Sequence, residues 1–175
     1  MIKQDISENL VNIAFLSIGS NLGNKKRNIE KAKFLLANNS IKILKSSNFY
    51  ETYAWPNKNH PKFYNIVIKI ITKLKPMNLF FIIKDIEKKL GRKKSLINSP
   101  RICDIDILDY KGQIYKLYSN NNKLIIPHPR LDSRNFVLIP LFEIEKDWKH
   151  PVKKRKIQDL IDKLDNFSLY SIKQI

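Results

Sequence analysis

The stretch Pro100-Arg101-Ile102-Cys103-Asp104-Ile105-Asp106-Ile107-Leu108 constrains the fold of this 175-residue chain more than any other. Its alternation predicts a strand with two carboxylates on one face. Successive side chains of a strand point to opposite sides, so Asp104 and Asp106 share a side while Cys103, Ile105 and Ile107 face a core. Neighbouring like charges repel, and burying them unpaired is expensive. A hard divalent cation is one remedy: Mg²⁺ characteristically takes one or two carboxylates together with substrate phosphates. A surface strand whose aspartates pair with lysines is another, and alternation alone does not separate the two. Arg101 stands just before the pair, as an anion-binding group would.

The chain is of a length for one domain with a real core, and its 43% hydrophobic content fits a globular protein. Residues 1–10 read as a flexible leader, and 11–175 as a single domain. The single cysteine excludes an internal disulfide and suits a reducing compartment. The first residues lack the apolar run of a signal peptide, and the apolar stretches are too short and lysine-broken to span a bilayer. A soluble, cytoplasmic protein with no membrane partner is expected.

The formal charge of +17 comes from 33 basic and 16 acidic residues. Such a balance suggests nucleic acid or phosphate as a partner. The bases are overwhelmingly lysine, however, and Asn and Ile are abundant too, a mixture that AT-rich coding produces without selection for charge. The arginines say more. They are Arg27, Arg92, Arg101, Arg130, Arg134 and Arg155, and those from 92 to 134 flank the carboxylate strand. Guanidinium forks grip phosphate oxygens in pairs, which lysine cannot do. The clustering points to a phosphate site.

Along the chain, Val11–Ile18 reads as a buried strand, Gly19–Gly23 as a turn and Asn24 as a helix cap. Lys25–Ala37 is the first expected helix, with Ile29, Ala32, Leu35 and Leu36 inward. Ile41–Tyr50 reads as a strand, Thr52–Pro61 as a loop and Phe63–Leu74 as a long strand. Pro76 opens a second helix, with Leu79, Ile83, Ile86 and Leu90 as its apolar stripe and Gly91 as its stop. A basic loop, 92–100, leads into the carboxylate strand. A hairpin is expected within Tyr115–Ile126, turning at Asn120–Asn122, then a loop at Pro127–Asp132. Helices follow at Arg134–Glu145 and Ile157–Leu164. The order β-α-β-β-α-β is ferredoxin-like: an α+β fold with a mostly antiparallel sheet, here carrying an extra β-hairpin and C-terminal helices.

No Walker loop, no G-x-G-x-x-G and no Cys/His set with zinc spacing is present. Gly19 and Gly23 are expected to serve a tight turn rather than a phosphate cradle. His150, beside Pro151, is expected to be exposed. His128, between Pro127 and Pro129 on a stiff loop, is the histidine placed for function.

Five blocks stand in order along the chain: Gly19-Ser20-Asn21-Leu22-Gly23, Phe49-Tyr50-Glu51-Thr52, Phe63-Tyr64-Asn65, Gly91-Arg92 with Pro100–Leu108, and Ile126-Pro127-His128-Pro129-Arg130 through Arg134-Asn135-Phe136 to Pro140-Leu141-Phe142-Glu143-Ile144. Taken together, they resemble the 6-hydroxymethyl-7,8-dihydropterin pyrophosphokinase family of folate biosynthesis. The Pro-Arg-x-x-Asp-x-Asp-Ile-Leu block is the most specific.

The resemblance implies transfer of a pyrophosphoryl group from ATP to the pterin hydroxymethyl oxygen, with AMP leaving. It implies Mg²⁺, as two ions on Asp104 and Asp106, and catalytic roles for these two and for Arg92 and Arg101. It implies a pterin held between Phe63 and Phe136, recognised by Asn65 and by the loop that starts at Thr52, with Trp55 as added cover. It implies nucleotide contacts from Lys84, Glu87, Arg92, Lys94, Arg101, Ile107, His128 and Arg134. The expected partners are ATP and the reduced hydroxymethylpterin, acting on a monomer, with no nucleic acid. Basic charge near the phosphates and a 92–100 loop that closes over ATP would supply neutralisation and exclude water.

The chain departs from the family's pattern at Asn98-Ser99-Pro100-Arg101, where better-known members carry Trp-Gly-Pro-Arg. Lys94 stands where Arg is common. The alternative reading is a ferredoxin-like RNA-binding module. It would want aromatic residues on sheet strands for base stacking, where this chain has carboxylates. A metal-dependent nuclease would want a larger carboxylate set.

Overall fold

The computed structural model describes residues 11–92, 98–119 and 122–175. Lys94, expected at the nucleotide, the 1–10 leader and Asn120 and Asn121 of the expected hairpin turn lie outside the described residues, as does most of the 92–100 loop.

Strand β1 (Asn12–Ser20) lies inside the sheet, with a neighbouring strand on each side. Helix α1 (Lys25–Asn38) follows, capped by Asn24, whose side chain accepts from the Arg27 amide at 3.0 Å. It buries Ile29, Ala32 and Leu36, positions that share one helical face. The chain returns through β2 (Lys42–Ser46) and β3 (Tyr50–Thr52), then β4 (Phe63–Thr72). Helix α2 (Pro76–Lys89) starts on Pro76, which needs no donor there, and buries Leu79, Ile83 and Ile86. The carboxylate strand is β5 (Asp104–Tyr110). β6 (Tyr115–Ser119) and β7 (Asn122–Ile126) form a separate two-stranded hairpin. Helices α3 (Asn135–Ile144), α4 (Ile157–Ile161) and α5 (Asn166–Tyr170) precede a last strand, β8 (Ile172–Gln174).

The main sheet runs β5-β1-β4-β3-β8, with β2 also on β4, and the described pairings are antiparallel. With β2 and β3 counted as one interrupted strand, this is the ferredoxin-like order. One sheet face carries Ala14, Leu16, Ile18, Ile66, Ile68, Ile105 and Ile107 into a core with α1 and α2. The other carries Phe15, Val67 and Leu108 into a second core with Val137, Leu138 and Leu141 of α3 and Leu160 of α4. The C-terminal helices therefore cover the face that the β-α-β-β-α-β unit leaves bare.

Several sequence expectations need correction. The strand expected over Ile41–Tyr50 is broken: Ser47 leaves the ladder, its amide donates to the Val67 carbonyl, and its hydroxyl accepts from the Val67 amide at 3.0 Å. Thr52 ends strand β3 rather than opening a loop. The Pro127–Asp132 loop runs into a short 3₁₀ turn, Leu131–Ser133. The expectation for Gly19 also fails. It sits inside β1 with extended backbone, paired with Asn65 and Asp104, whereas Gly23 does adopt the left-handed φ of a turn.

His150 is buried, not exposed. Its Nδ1 accepts from the Val152 and Lys153 amides at 3.1 and 3.2 Å, and its ring meets Trp148 edge to face at 5.7 Å. Trp148 in turn donates to Asp109 Oδ2 at 2.7 Å. No local pattern marks His150 as interior; the turn that folds over it does. Burial pushes its pKa below the ordinary 6.5, against the pull of Asp132 and Asp109 and with the help of Lys153. A lowered histidine pKa contributes stability above the unfolded value, and that stability is lost as pH falls through the folded value. Melting temperature is therefore expected to drop between about pH 7 and pH 5. His150→Ala should cost about 1–3 kcal/mol at neutral pH by stranding both amides, and should flatten that slope. Thermal melts of both proteins across this range check it, and identical slopes would refute the assignment.

Candidate active site

Register assembles the site. Gly19 is the cross-strand partner of Asp104 on one side and of Asn65 on the other, and Asn65 is the partner of Tyr50. Cross-strand partners point to the same face, so Asp104, Asn65 and Tyr50 line one row across the sheet. Asp106 pairs with Ser17 in the next row on that face. The sheet face thus runs from the second core into a polar end that α3 only partly covers.

The expected geometry of β5 holds. Cys103, Ile105 and Ile107 are buried, while the Asp104 and Asp106 side chains remain 25% and 31% exposed. Among the described residues, the ion pairs of both aspartates are with arginine or histidine and not with lysine. Arg92 and Arg101 donate to the two oxygens of Asp104 at 2.6 and 2.9 Å. Arg134 donates to Asp106 at 3.3 Å. Burial works against a charged Asp104, but Arg101 and then Arg92 outweigh it and hold the carboxyl below its usual range.

Glu87 faces inward from α2. One oxygen accepts from the Ile105 amide at 2.7 Å and from Arg92, and the other pairs with Lys84 at 2.9 Å. Burial pushes its carboxyl above the usual range, while Lys84, the Ile105 amide and Arg92 pull the other way. Glu87 therefore ties α2 to β5 and splits Arg92 between two carboxylates.

His128 follows the Ile126-Pro127 bond at the end of the hairpin, and its own amide donates to the Leu108 carbonyl at 3.0 Å. Its Nδ1 accepts from the Arg130 amide at 3.1 Å. A neutral ring therefore carries its proton on Nε2, which faces Asp106 at 3.8 Å. Burial lowers its pKa, against the pull of Asp106.

A cavity of about 280 Å³ opens beside these groups. Phe80, Ile107 and Leu124 give it apolar walls; Lys84, Lys123 and His128 bring positive or polar edges towards Asp106. Sequence reasoning placed Lys84, Ile107 and His128 here but missed Phe80 and Lys123. Phe80 is indistinguishable from a core residue on α2, and Lys123 is one lysine among many.

Across β1 from Asp104 lies Asn65, with Thr52 and Phe63 paired beside it on β3 and β4. Asn65 Nδ2 donates to Thr52 Oγ1 at 2.9 Å, and both side chains are buried. A Cβ at Gly19 would stand 2.8 Å from Asn65 Oδ1, so glycine is needed there to leave room for that amide. Phe63 and Phe136 are half-buried. The guanidinium of Arg101 lies 6.0 Å from the Phe63 ring centre, and that of Arg134 lies 5.4 Å from Phe136. The arginines that hold the aspartates are thus also neighbours of both rings. Trp55 is 71% exposed, so its ring stands mostly in solvent.

Asn21 was not expected as a site residue. Its Oδ1 accepts from the Arg101 amide at 2.7 Å, its own amide donates to the Arg101 carbonyl at 3.1 Å, and its Nδ2 donates to the Pro61 carbonyl at 3.0 Å. It fixes the segment leading into β5 against the 53–61 loop. Asn98 has a φ of 65°, a conformation asparagine tolerates better than an indole-bearing residue.

Among the described residues no third carboxylate, histidine or cysteine joins the aspartates in a cluster fit for a metal ion. A cation here would take Asp104 and Asp106 and complete its shell from phosphate oxygens and water. That donor set fits Mg²⁺ and does not fit zinc.

A family model described as 7,8-dihydro-6-hydroxymethylpterin-pyrophosphokinase matches residues 15–146. A folic acid synthesis protein of Pneumocystis carinii is 41% identical over 160 residues, covering 90% of this chain and 21% of that protein. A 2-amino-4-hydroxy-6-hydroxymethyldihydropteridine pyrophosphokinase of Aquifex aeolicus is 38% identical over 145 residues, 83% of this chain and 88% of that protein. The wild-type HPPK-DHPS of Plasmodium falciparum, crystallised with pterin and p-hydroxybenzoate, superposes with a TM-score of 0.75 over 99% of this chain and 46% of that one. Its identity of 19% makes that a likeness of fold. The chain spans about a fifth of the length of the fungal relatives it matches. Matched by the family model over most of its residues and related to the Aquifex protein along most of that protein's length, this chain belongs to the 7,8-dihydro-6-hydroxymethylpterin-pyrophosphokinase family.

Proposed function

We propose that this chain is a Mg²⁺-dependent pyrophosphokinase that moves the β,γ-diphosphoryl group of ATP onto the hydroxymethyl oxygen of 6-hydroxymethyl-7,8-dihydropterin, releasing AMP. The observation that carries the reading is the position of the carboxylate pair. Asp104 and Asp106 stand between an apolar cavity with a basic rim and a buried amide, and the arginines that hold them lie beside two half-buried aromatic rings. A nucleoside suits the cavity, and a flat heteroaromatic suits the space by Phe63, Phe136 and Asn65.

The pterin hydroxymethyl oxygen attacks the β-phosphorus and gives up its proton to solvent, the bond from that phosphorus to the α-phosphate oxygen breaks, and AMP leaves with the electron pair. Asp104 and Asp106 would hold the Mg²⁺, which when bound would neutralise charge on the phosphates and make the attacking hydroxyl more acidic. The rest is positioning and electrostatics from the chain itself. Arg92 and Arg101 are poised to exchange Asp104 for phosphate oxygens, to which guanidinium forks bind in pairs. Glu87 and Asn21 keep these arginines aimed into the site. His128 presents an Nε2 proton, and Lys84 and Arg134 present charge, from the cavity side. Lys94 is assigned to the phosphates by its place in the sequence alone. Ile107 packs against the nucleoside, and Thr52 holds the Asn65 amide for the pterin edge. Trp55 is assigned as an outer cover of the pterin.

The expected working unit is a single chain with small-molecule partners and no nucleic acid, because carboxylates occupy the sheet positions where an RNA binder would place stacking rings. No helix among the described residues is long and apolar enough to cross a membrane, and a cytoplasmic setting fits the reduced pterin substrate. The test is to incubate the protein with ATP, Mg²⁺ and the reduced hydroxymethylpterin and to identify the nucleotide formed. AMP with the diphosphorylated pterin is expected. ADP would leave an ordinary kinase, and no turnover of either substrate would overturn the reading.

A further inference from the structure

The stretch from Asn166 to Ile175 lies past residue 146, where the family match ends. It is fastened to separate parts of the region assigned to the pterin. β8 pairs with β3 in the register Tyr50–Gln174, Glu51–Lys173 and Thr52–Ile172, and the Ile175 amide donates to the Phe49 carbonyl at 2.9 Å. The Asn135 side chain, next to Phe136, donates its Nδ2 to the Ser168 carbonyl and to Ser171 Oγ, the latter at 3.1 Å. The same side chain's Oδ1 accepts from the Phe136 amide at 2.7 Å. The Lys58 ammonium of the 53–61 loop lies 4.0 Å from the Phe167 ring centre.

We infer that this C-terminal segment is a positioning element of the pterin pocket: it holds Thr52, the loop after it and Phe136 in place around Phe63 and Asn65. The inference rests on the pterin reading above. β3 has only 3 residues, and without β8 it would be an edge strand with one ladder unmade. Short edges of this kind open locally at little cost. Thr52 Oγ1 is the acceptor for Asn65 Nδ2, so movement of β3 would release the amide assigned to the pterin edge. Loss of the Asn135 anchor would free the start of α3, and with it the Phe136 ring. Recognition of this kind tolerates displacements of only about half an ångström. The contacts described for this segment fall on Phe49, β3, the 53–61 loop and Asn135, none of which lines the nucleotide cavity. ATP binding should therefore be indifferent to it.

The test compares the full chain with a variant ending at Ser171 and with Asn135→Ala. Each is titrated separately with the reduced hydroxymethylpterin and with a non-hydrolysable ATP analogue, and KM is measured for both substrates. Both variants should weaken pterin binding and raise the pterin KM by roughly tenfold or more, with the ATP-analogue Kd changed by less than about twofold. Far-UV circular dichroism at the assay temperature should match the full chain. Unchanged pterin affinity in both folded variants would overturn the inference and leave β8 as plain edge cover. An equal loss for both ligands would overturn it in favour of general destabilisation. If the full chain itself binds no pterin, the functional reading falls as well, which separates that failure from the first.

Discussion

Asp104→Asn and Asp106→Asn are each expected to lower turnover by at least about a hundredfold, roughly 3 kcal/mol of lost stabilisation of the transition state. Asparagine keeps the shape and removes the charge, so the readout isolates electrostatics. The two variants should differ in stability. Asp104 takes hydrogen bonds from both Arg92 and Arg101, whereas Asp106 has a longer one from Arg134 and faces His128 at 3.8 Å. Asp104→Asn should therefore melt lower than Asp106→Asn while both lose turnover alike. Pterin binding should change little in either, since the groups assigned to it are rings and neutral amides. Steady-state kinetics, thermal melts and a pterin titration check the three parts. Full turnover in either variant would remove the carboxylate pair from the mechanism.

Glu87→Ala should be the most destabilising single change in the site, by about 3–5 kcal/mol. The carboxylate is 2% exposed and is the acceptor for the buried Ile105 amide, with Arg92 and Lys84 on its oxygens. Its removal strands the buried amide and takes one carboxylate from the half-buried Arg92, while the more exposed Lys84 can turn to water. Glu87→Gln should recover the amide contact and part of the stability, but not the hold on Arg92. Turnover in Glu87→Gln should therefore stay well below wild type even where the protein is folded. Denaturant unfolding of the three proteins checks the order. A Glu87→Ala protein as stable as wild type would show that the carboxylate is not buried as described.

The carboxylate strand was legible because strand alternation is a local rule. Once 103–108 is a strand with Ile105 and Ile107 inward, Asp104 and Asp106 must share the other face. The amphipathic stripes of α1 and α2 were legible for the same reason, as was the ferredoxin-like order that follows from the succession of elements. Gly19 was misread because its role depends on a residue 46 positions away: a strand glycine looks like a turn glycine until Asn65 is seen lying over it. The Ser47 break was hidden because serine at that position is unremarkable until its hydroxyl meets the Val67 amide.

Sequence by itself determined which side chains share a strand face or a helix stripe, because those depend on φ, ψ and the nearest few residues. It determined the clustering of arginines near the carboxylates along the chain. Tertiary structure alone decided how those charges pair. Arg92 joins Glu87 to Asp104 across two elements, and Asn21 fastens Arg101 to the 53–61 loop. It decided the burial of His150, which only the turn over it encloses, and the addition of β8 beside β3, a pairing between segments more than a hundred residues apart. The reason is the range of the forces. Periodicity is written by local sterics, whereas buried hydrogen bonds and ion pairs form between whichever groups the packed sheet and helices bring within reach, and nothing local records that choice.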